Sequence, residues 1–589
     1  MKHIFISAIL LISLQLFSQH DEWRTYYEKS GFTATPDYAA SIEFSKKLAA
    51  ASPMIEYTTF GVSPQGRDLP LMIIDANGNF TPESIRGSGH AVLFIEAGIH
   101  SGEIEGKDAM FLFLRDLVVH EKHRELLENV SIVFIPIFNV DGHERSGSYG
   151  RINQNGPEEM GWRTTAQNLN LNRDFLKADA PEMKAWLKLF NKWLPDFFMD
   201  VHTTDGADYQ YALTYQMETE GNMDPELTAW ARDEYLPEMK KEMAEAGFPV
   251  FQYVAFRTWF DPRTGLRNGV AGPRYSQGYT ALQNRTGLLV ETHMLKPYKN
   301  RVESTLELIK ITLEIMNRDH EELIKLNKQA DEYAMSSDFR KTPFALRWER
   351  SDEDSVMVDF KGVEYDVIKS DLTGGPWFIY HKDKPKDFKL PYFYKMNVTD
   401  SVMLPEAYVI PPQWLDIIER LELHGVEYYR LEDPREINIQ SLKFENPEWR
   451  RQPYEGRHPM TNVEYELLEE KIVYPEGSLI IPMDQRRARV IAHMFEPLSE
   501  DSFLQWGFFD AIFEQKEYAE TYVMEKVARE MIKEDPQLMG QFEAWKEANP
   551  QMAQNQWLQL NWFYQRSLWW DNKKDVYPVG RIMDSGQLR

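Results

Sequence analysis

The chain has 589 residues, 43% hydrophobic and 13% aromatic, which is more than one core usually organises and too apolar for a disordered chain. A formal net charge of -26 argues against a nucleic-acid partner, since binding phosphates requires a basic face. With no cysteine, disulfides and acylated-cysteine anchors are excluded, and any metal must be held by His and carboxylate.

In chain order, Met1-Lys2-His3 is a short basic start, Ile4 to Phe17 is almost entirely apolar, and Ser18-Gln19-His20-Asp21 is abruptly polar. This reads as a secretory signal peptide over residues 1–18, hence an exported chain, periplasmic or extracellular. The apolar run is about 14 residues, short of the roughly 20 a spanning helix needs, so no stable membrane anchor is expected. From residue 24 to 320, apolar runs at Leu71–Ile74, Ala91–Ile95, Ser131–Pro136, Phe197–Val201 and Gly287–Glu291 predict buried strands. They alternate with helix-like stretches such as Lys107–Val118 and Pro181–Trp193. The alternation predicts an α/β unit with a mixed, largely parallel sheet flanked by helices, its function lying beyond the carboxyl ends of the strands.

A polar helical stretch from Asn300 to about Ala334 leads into a different, accessory α+β region over 345–589. Ser355–Ile368 alternates around Lys361-Gly362, which predicts a hairpin turn there. Gly374-Gly375-Pro376 and Tyr474–Gly477 are further turn signals, and Ala407–Leu431 reads as strand, helix, strand with Gly425 ending the helix. Arg486-Arg487-Ala488-Arg489 reads as a solvated basic face. The helical tail carrying Trp557, Trp562, Trp569 and Trp570 reads as a buried interface.

Three separated places carry chemistry. Gly98-Ile99-His100-Ser101-Gly102-Glu103 follows a predicted strand, Asp200-Val201-His202 ends another, and Glu291 closes a third. Each alone is an ordinary strand-end His or Glu. Together they put two imidazoles and a carboxylate, with a second carboxylate to spare, at the ends of one sheet.

At these residues the chain resembles the zinc metallocarboxypeptidases, from about Ser41 to Lys296. Gly61–Arg67 resembles the family's opening G-x-S-x-x-G-R turn, Gly98–Glu103 its first ligand loop, and Asn139-Val140-Asp141-Gly142 its N-P-D-G loop. The resemblance implies one zinc ion held by His100, Glu103 and His202, with Glu291 as general base. It implies Arg163, in Trp162-Arg163, as the oxyanion-stabilising arginine. Asn172 and Arg173 are implied as the pair gripping the terminal carboxylate of a peptide substrate.

Three positions depart from that pattern. Gly102 stands where digestive members carry an arginine, Asn170 where an Asp often orients a zinc-bound His, and neither Tyr275 nor Tyr279 lies at the spacing of the family's substrate tyrosine. His293, two residues beyond Glu291, is expected to face the same side and reads as a packed or solvated His; Arg285 offers a second carboxylate contact only as a guess. The expected activity is hydrolysis of C-terminal peptide bonds. The alternatives are a zinc-dependent deacylase, a carboxypeptidase acting on cell-wall peptides, and an inactive peptide-binding protein.

Overall fold

The structure, a computed structural model, describes residues 22–258 and 260–588. The expected signal peptide therefore lies outside the described residues. Ten strands occupy the first half of the chain. They are β1 (Ile55–Val62), β2 (Asp68–Ile74), β3 (Ala91–Ala97), β4 (Val130–Ile135), β5 (Phe197–Thr204), β6 (Leu213–Met217), β7 (Val250–Gln252), β8 (Ala255–Phe256), β9 (Leu266–Arg267) and β10 (Thr286–His293). Eight of them form one sheet in the order β1-β2-β4-β3-β5-β10-β6-β7. Its centre, β4-β3-β5-β10, is parallel, and the antiparallel pairs lie at β1-β2, β2-β4 and β10-β6. The predicted mixed, largely parallel sheet is thus observed.

Both faces of this sheet are covered, which is why its strands read as unbroken apolar runs. Because side chains alternate, Leu93, Ile95 and Ala97 enter one core while Val92 and Phe94 enter another. Helices Glu105–Val119 and Tyr298–Met335 close the first core. On the opposite face lies helix Pro181–Trp193. It starts with proline at a position that needs no N–H and buries Met183, Trp186, Leu187 and Phe190 at helical spacing.

The second core is completed by the later half of the chain: Tyr408, Ile417, Leu421, Ile481, Ile491 and Phe503 join Trp186, Phe190 and Tyr279 in one apolar cluster. That half contains β11 (Phe344–Arg350), β12 (Val356–Lys369), β13 (Pro376–Phe393), β14 (Met396–Val402), β15 (Ala407–Ile410), β16 (Tyr429–Arg430), β17 (Arg435–Trp449), β18 (Met460–Tyr474), β19 (Leu479–Pro482) and β20 (Gly580–Ile582). A six-stranded sheet runs β16-β19-β15-β20-β17-β18, and β13 adds to the short strand β9 of the first half, pairing Phe393 with Arg267. Among the described residues no helix is long and apolar enough to cross a membrane.

Three expectations for this half fail. Lys361-Gly362 is no turn: β12 runs straight through it, and the chain reverses at Ser370–Gly375, where Gly374 has φ 73°. Gly362 is there because the Phe388 ring of β13 crosses it, so a Cβ would come within 2.4 Å of that ring. The basic cluster is not solvated, for Arg489 is buried and Arg486 and Arg487 bond Gln283 and the His424 carbonyl. The Trp-rich tail is only partly an interface: Trp562 packs on Phe542, whereas Trp557 and Trp569 are exposed.

Candidate metal centre and active-site cavity

The parallel register brings the three places together. β3 and β5 pair Ala97 with Val201, and β5 and β10 pair His202 with Glu291. Beyond Ala97 the chain turns sharply at Gly98, whose φ of 68° suits glycine and whose missing Cβ leaves room for Ile104. That turn carries His100 and Glu103 over the end of β5.

His100 Nδ1 lies 3.2 Å from Glu103 Oε1, and His202 Nδ1 lies 3.1 Å from Glu103 Oε2. One ligating atom from each of these three buried residues falls within 4.8 Å of the others. Both imidazoles are anchored through their far nitrogens, His100 Nε2 to Asn170 Oδ1 at 2.9 Å and His202 Nε2 to Asp200 Oδ2 at 2.7 Å. Such partners fix ring orientation and leave the other nitrogen free for a metal. His100 Nδ1 is buried without a hydrogen bond. Two imidazoles and a carboxylate with this arrangement fit zinc.

His100 and Glu103 carry the charge states a metal ligand needs, while His202 has to give up a proton on binding. Burial lowers the His100 imidazole to about 4, so it is neutral at physiological pH and has a lone pair to donate. Burial opposes ionisation of Glu103, yet Arg151 and the two His residues hold its carboxyl well below the ordinary range. Burial likewise works against charge on His202, but Asp200 keeps it well above the usual value. Glu291 is raised to about 8, first by burial and then by the charges of Glu103 and Asp200, with His202 opposing.

A cavity of about 1030 Å³ opens above this cluster and includes Glu291, Arg163, Asn172 and Arg173 in its lining. Arg163 Nη1 donates to Glu103 Oε1 at 3.2 Å. Asn172 is fixed from two sides: its N–H donates to Asn170 Oδ1, and its own Oδ1 accepts from the Ser276 N–H. Arg173 lies over the Tyr275 ring at 4.6 Å. All seven expected site residues therefore border one space.

The remaining candidates part company. Tyr275 lines the cavity, but Tyr279 is buried beneath it with its hydroxyl 2.7 Å from His424 Nδ1. His293 is a packed residue, bonded to the Ala207 carbonyl and the Leu295 N–H. Arg285 pairs with Asp331 on the long helix, away from the cavity.

Sequence reasoning missed three residues. Asp200 lies two positions before His202 on one strand, and that period-two spacing was signal enough. Arg151 donates to Glu103 Oε1, and its stem fills the space over Gly102, where a Cβ would lie 2.6 Å from Arg151 Cγ. Tyr253 also lines the cavity. Neither of these two sits in a motif, so nothing in the sequence flagged them.

The later half of the chain reaches this site as well. Glu455 Oε2 accepts from the Asn170 N–H at 3.0 Å, so the residue that orients His100 is itself held from 285 positions away. Asp501 accepts from the Arg274 N–H, steadying the segment that presents Tyr275. Arg457 makes two hydrogen bonds of 2.7 Å to Asp179.

Comparison with known proteins agrees with this geometry. The family model for zinc carboxypeptidase matches residues 42–250. Carboxypeptidase 2 of Trichophyton rubrum is 24% identical over 480 residues, 79% of this chain and 82% of that protein. Carboxypeptidase Z of Gallus gallus is 30% identical over 152 residues, covering 23% of this chain and 21% of its own. Among solved structures, a metallo-carboxypeptidase from Pseudomonas aeruginosa is similar at TM-score 0.36 and 18% identity, over 49% of this chain and 69% of that one. The family match spans both the His100–Glu103 loop and His202 on β5, and carboxypeptidases recur among the relatives, so the segment 42–250 belongs to the zinc carboxypeptidase family and the chain is a peptide hydrolase.

Proposed function

We propose that the enzyme removes C-terminal residues from peptides, with His100, Glu103 and His202 holding one zinc ion and Glu291 serving as general base. The observation that carries this reading is the convergence, in one cavity, of the His–Glu–His donor set, Glu291 and the Asn172–Arg173 pair. Zinc at that set supplies a Lewis acid and an acidified water at neutral pH.

The chain's own groups supply the rest. Glu291, which lines the cavity beside the donor set, takes a proton from water and returns it to the leaving amine. Arg163, partly exposed to the cavity, meets the negative charge that develops on the carbonyl oxygen. Arg173 presents a planar donor fork, kept rigid by the Tyr275 ring, and with Asn172 it binds the terminal carboxylate. A clamp for that carboxylate limits cleavage to the last peptide bond. The leader-like residues 1–18 support a location outside the cytoplasm.

The test is release of free amino acids from a mixed peptide library by the zinc-loaded enzyme, beside a chelated sample and Glu291→Gln. Stepwise C-terminal release is expected, abolished by chelation and restored by zinc. In Glu291→Gln the rate falls roughly 10²- to 10⁴-fold while elemental analysis finds the same zinc content. No release from any peptide by metal-loaded, folded enzyme overturns the reading.

A further inference from the structure

The cavity's charge runs against that of the protein. In a chain of net charge -26, five arginines and no lysine line it, facing only Glu103, Asp205 and Glu291. Arg151 and Arg163 both donate to Glu103, and Arg173 has the role proposed above. Arg267 and Arg350 are left over.

Arg267 stands at the end of β9, and its guanidinium has no hydrogen-bond or ion-pair partner among the described residues. Arg350, at the end of β11, has one described ionic contact, Asp352 at 3.6 Å, which Arg257 approaches more closely at 3.2 Å. Arg350 Nε is buried with no hydrogen-bond partner. Arg267 thus keeps an uncompensated charge, and Arg350 keeps unused donors beside a distant carboxylate it shares with Arg257; an anion entering the cavity satisfies both.

Both line the cavity that also holds Asn172 and Arg173. Gly269, two residues beyond Arg267, accepts from Gln216, and β6 sets Gln216 opposite Leu289, two residues before Glu291 and on the same face of β10. The wall from Arg267 to Ala271 and the floor at Gln216 and Leu289 therefore adjoin the general base and border the same cavity as the carboxylate clamp.

We propose that Arg267 and Arg350 bind a second carboxylate, so that the enzyme prefers peptides ending in an acidic residue. The proposal rests on the carboxypeptidase reading and deepens it. Arg350 comes from the accessory half, so substrate choice is shared between the two halves of the chain.

The test is kcat/KM for a blocked tripeptide series, acetyl-Ala-Ala-X, with X as Glu, Asp, Gln, Leu or Lys. A charge-assisted contact gives Glu an advantage over isosteric Gln of roughly 10- to 100-fold. Arg267→Gln and Arg350→Gln each move that ratio toward one, and Arg267→Lys retains most of it. Circular dichroism and zinc content establish that each variant is folded. A Glu-to-Gln ratio of one or less in the unmodified enzyme, with Leu still released, overturns the proposal and leaves the carboxypeptidase reading standing. An advantage for acid at the penultimate position alone also overturns it. Release of no residue at all overturns both.

Discussion

The two halves of the chain use β-structure in opposite ways. In the first, a sheet buried on both faces delivers His202 and Glu291 at paired strand ends and hangs His100 and Glu103 on the loop beyond β3. In the second the strands pair antiparallel; Tyr408 and Ile410 of β15 join the core beneath the first half, while Ala407 and Val409 on its other face enter a small core of that half's own. What it sends toward the active site is polar: Arg350 lines the cavity itself, and the rest acts indirectly, Glu455 on Asn170, Asp501 on Arg274 and Arg457 on Asp179. The contrast teaches that chemistry and support are distributed by distance from the metal centre, not by where a sequence boundary falls.

The strongest way to break this comparison is to remove the second half. A chain ending at Met335 loses the cover of the second core, leaving Trp186, Phe190 and Tyr279 bare at about 1.5–3 kcal/mol for each large apolar side chain. It is expected to aggregate and to show no cooperative unfolding transition by circular dichroism. A soluble, active fragment would instead mean that the halves are independent.

Arg163→Ala tests the first half alone. Losing a donor to developing negative charge lowers kcat about 10²- to 10³-fold in peptide hydrolysis assays, with zinc content unchanged.

Asn170→Ala tests the line between the halves. Removing the acceptor from His100 Nε2 weakens zinc binding roughly 10- to 100-fold in competition with a chromogenic chelator. Glu455→Ala, one bond further out, is expected to weaken it by a smaller factor; an effect as large as that of Asn170→Ala would place the accessory half closer to the chemistry than drawn here.

The smallest effect concerns acid. Burial would raise the Asp179 carboxyl, but hydrogen bonds from Arg457 and the charges of Lys177 and Arg420 more than offset this and hold it well below the ordinary range. A depressed folded value means that its stabilisation is present above the unfolded value near 3.8 and is lost as pH falls below it. Asp179→Asn should therefore cost about 1–2 kcal/mol at pH 7, with a gap to the unmodified enzyme that narrows toward pH 3 in thermal melts.

The candidate metal site was legible because its pieces are short and continuous. Gly98–Glu103 and Asp200–His202 each sit just past an apolar run, and a doubly covered sheet makes such runs conspicuous. Arg151 was not legible. It lies between Gly150 and Ile152 in a long loop without periodicity, and only the folded chain lays its stem across Gly102. The accessory half misled for a related reason. Gly362 carries a turn signal in sequence, but its meaning is set by the Phe388 ring on the partner strand. Likewise Arg486–Arg489 reads as solvated until Gln283, His424 and Asn222 supply the carbonyls it needs.

The bond from Asn170 to Glu455 also sets an order of events. A ribosome makes Asn170 long before residue 455; until the later segment arrives the Asn172 N–H holds the Asn170 side chain, and the Asn170 backbone N–H waits for its partner. The segment that orients His100 therefore gains its last hydrogen bond only once the second half has docked.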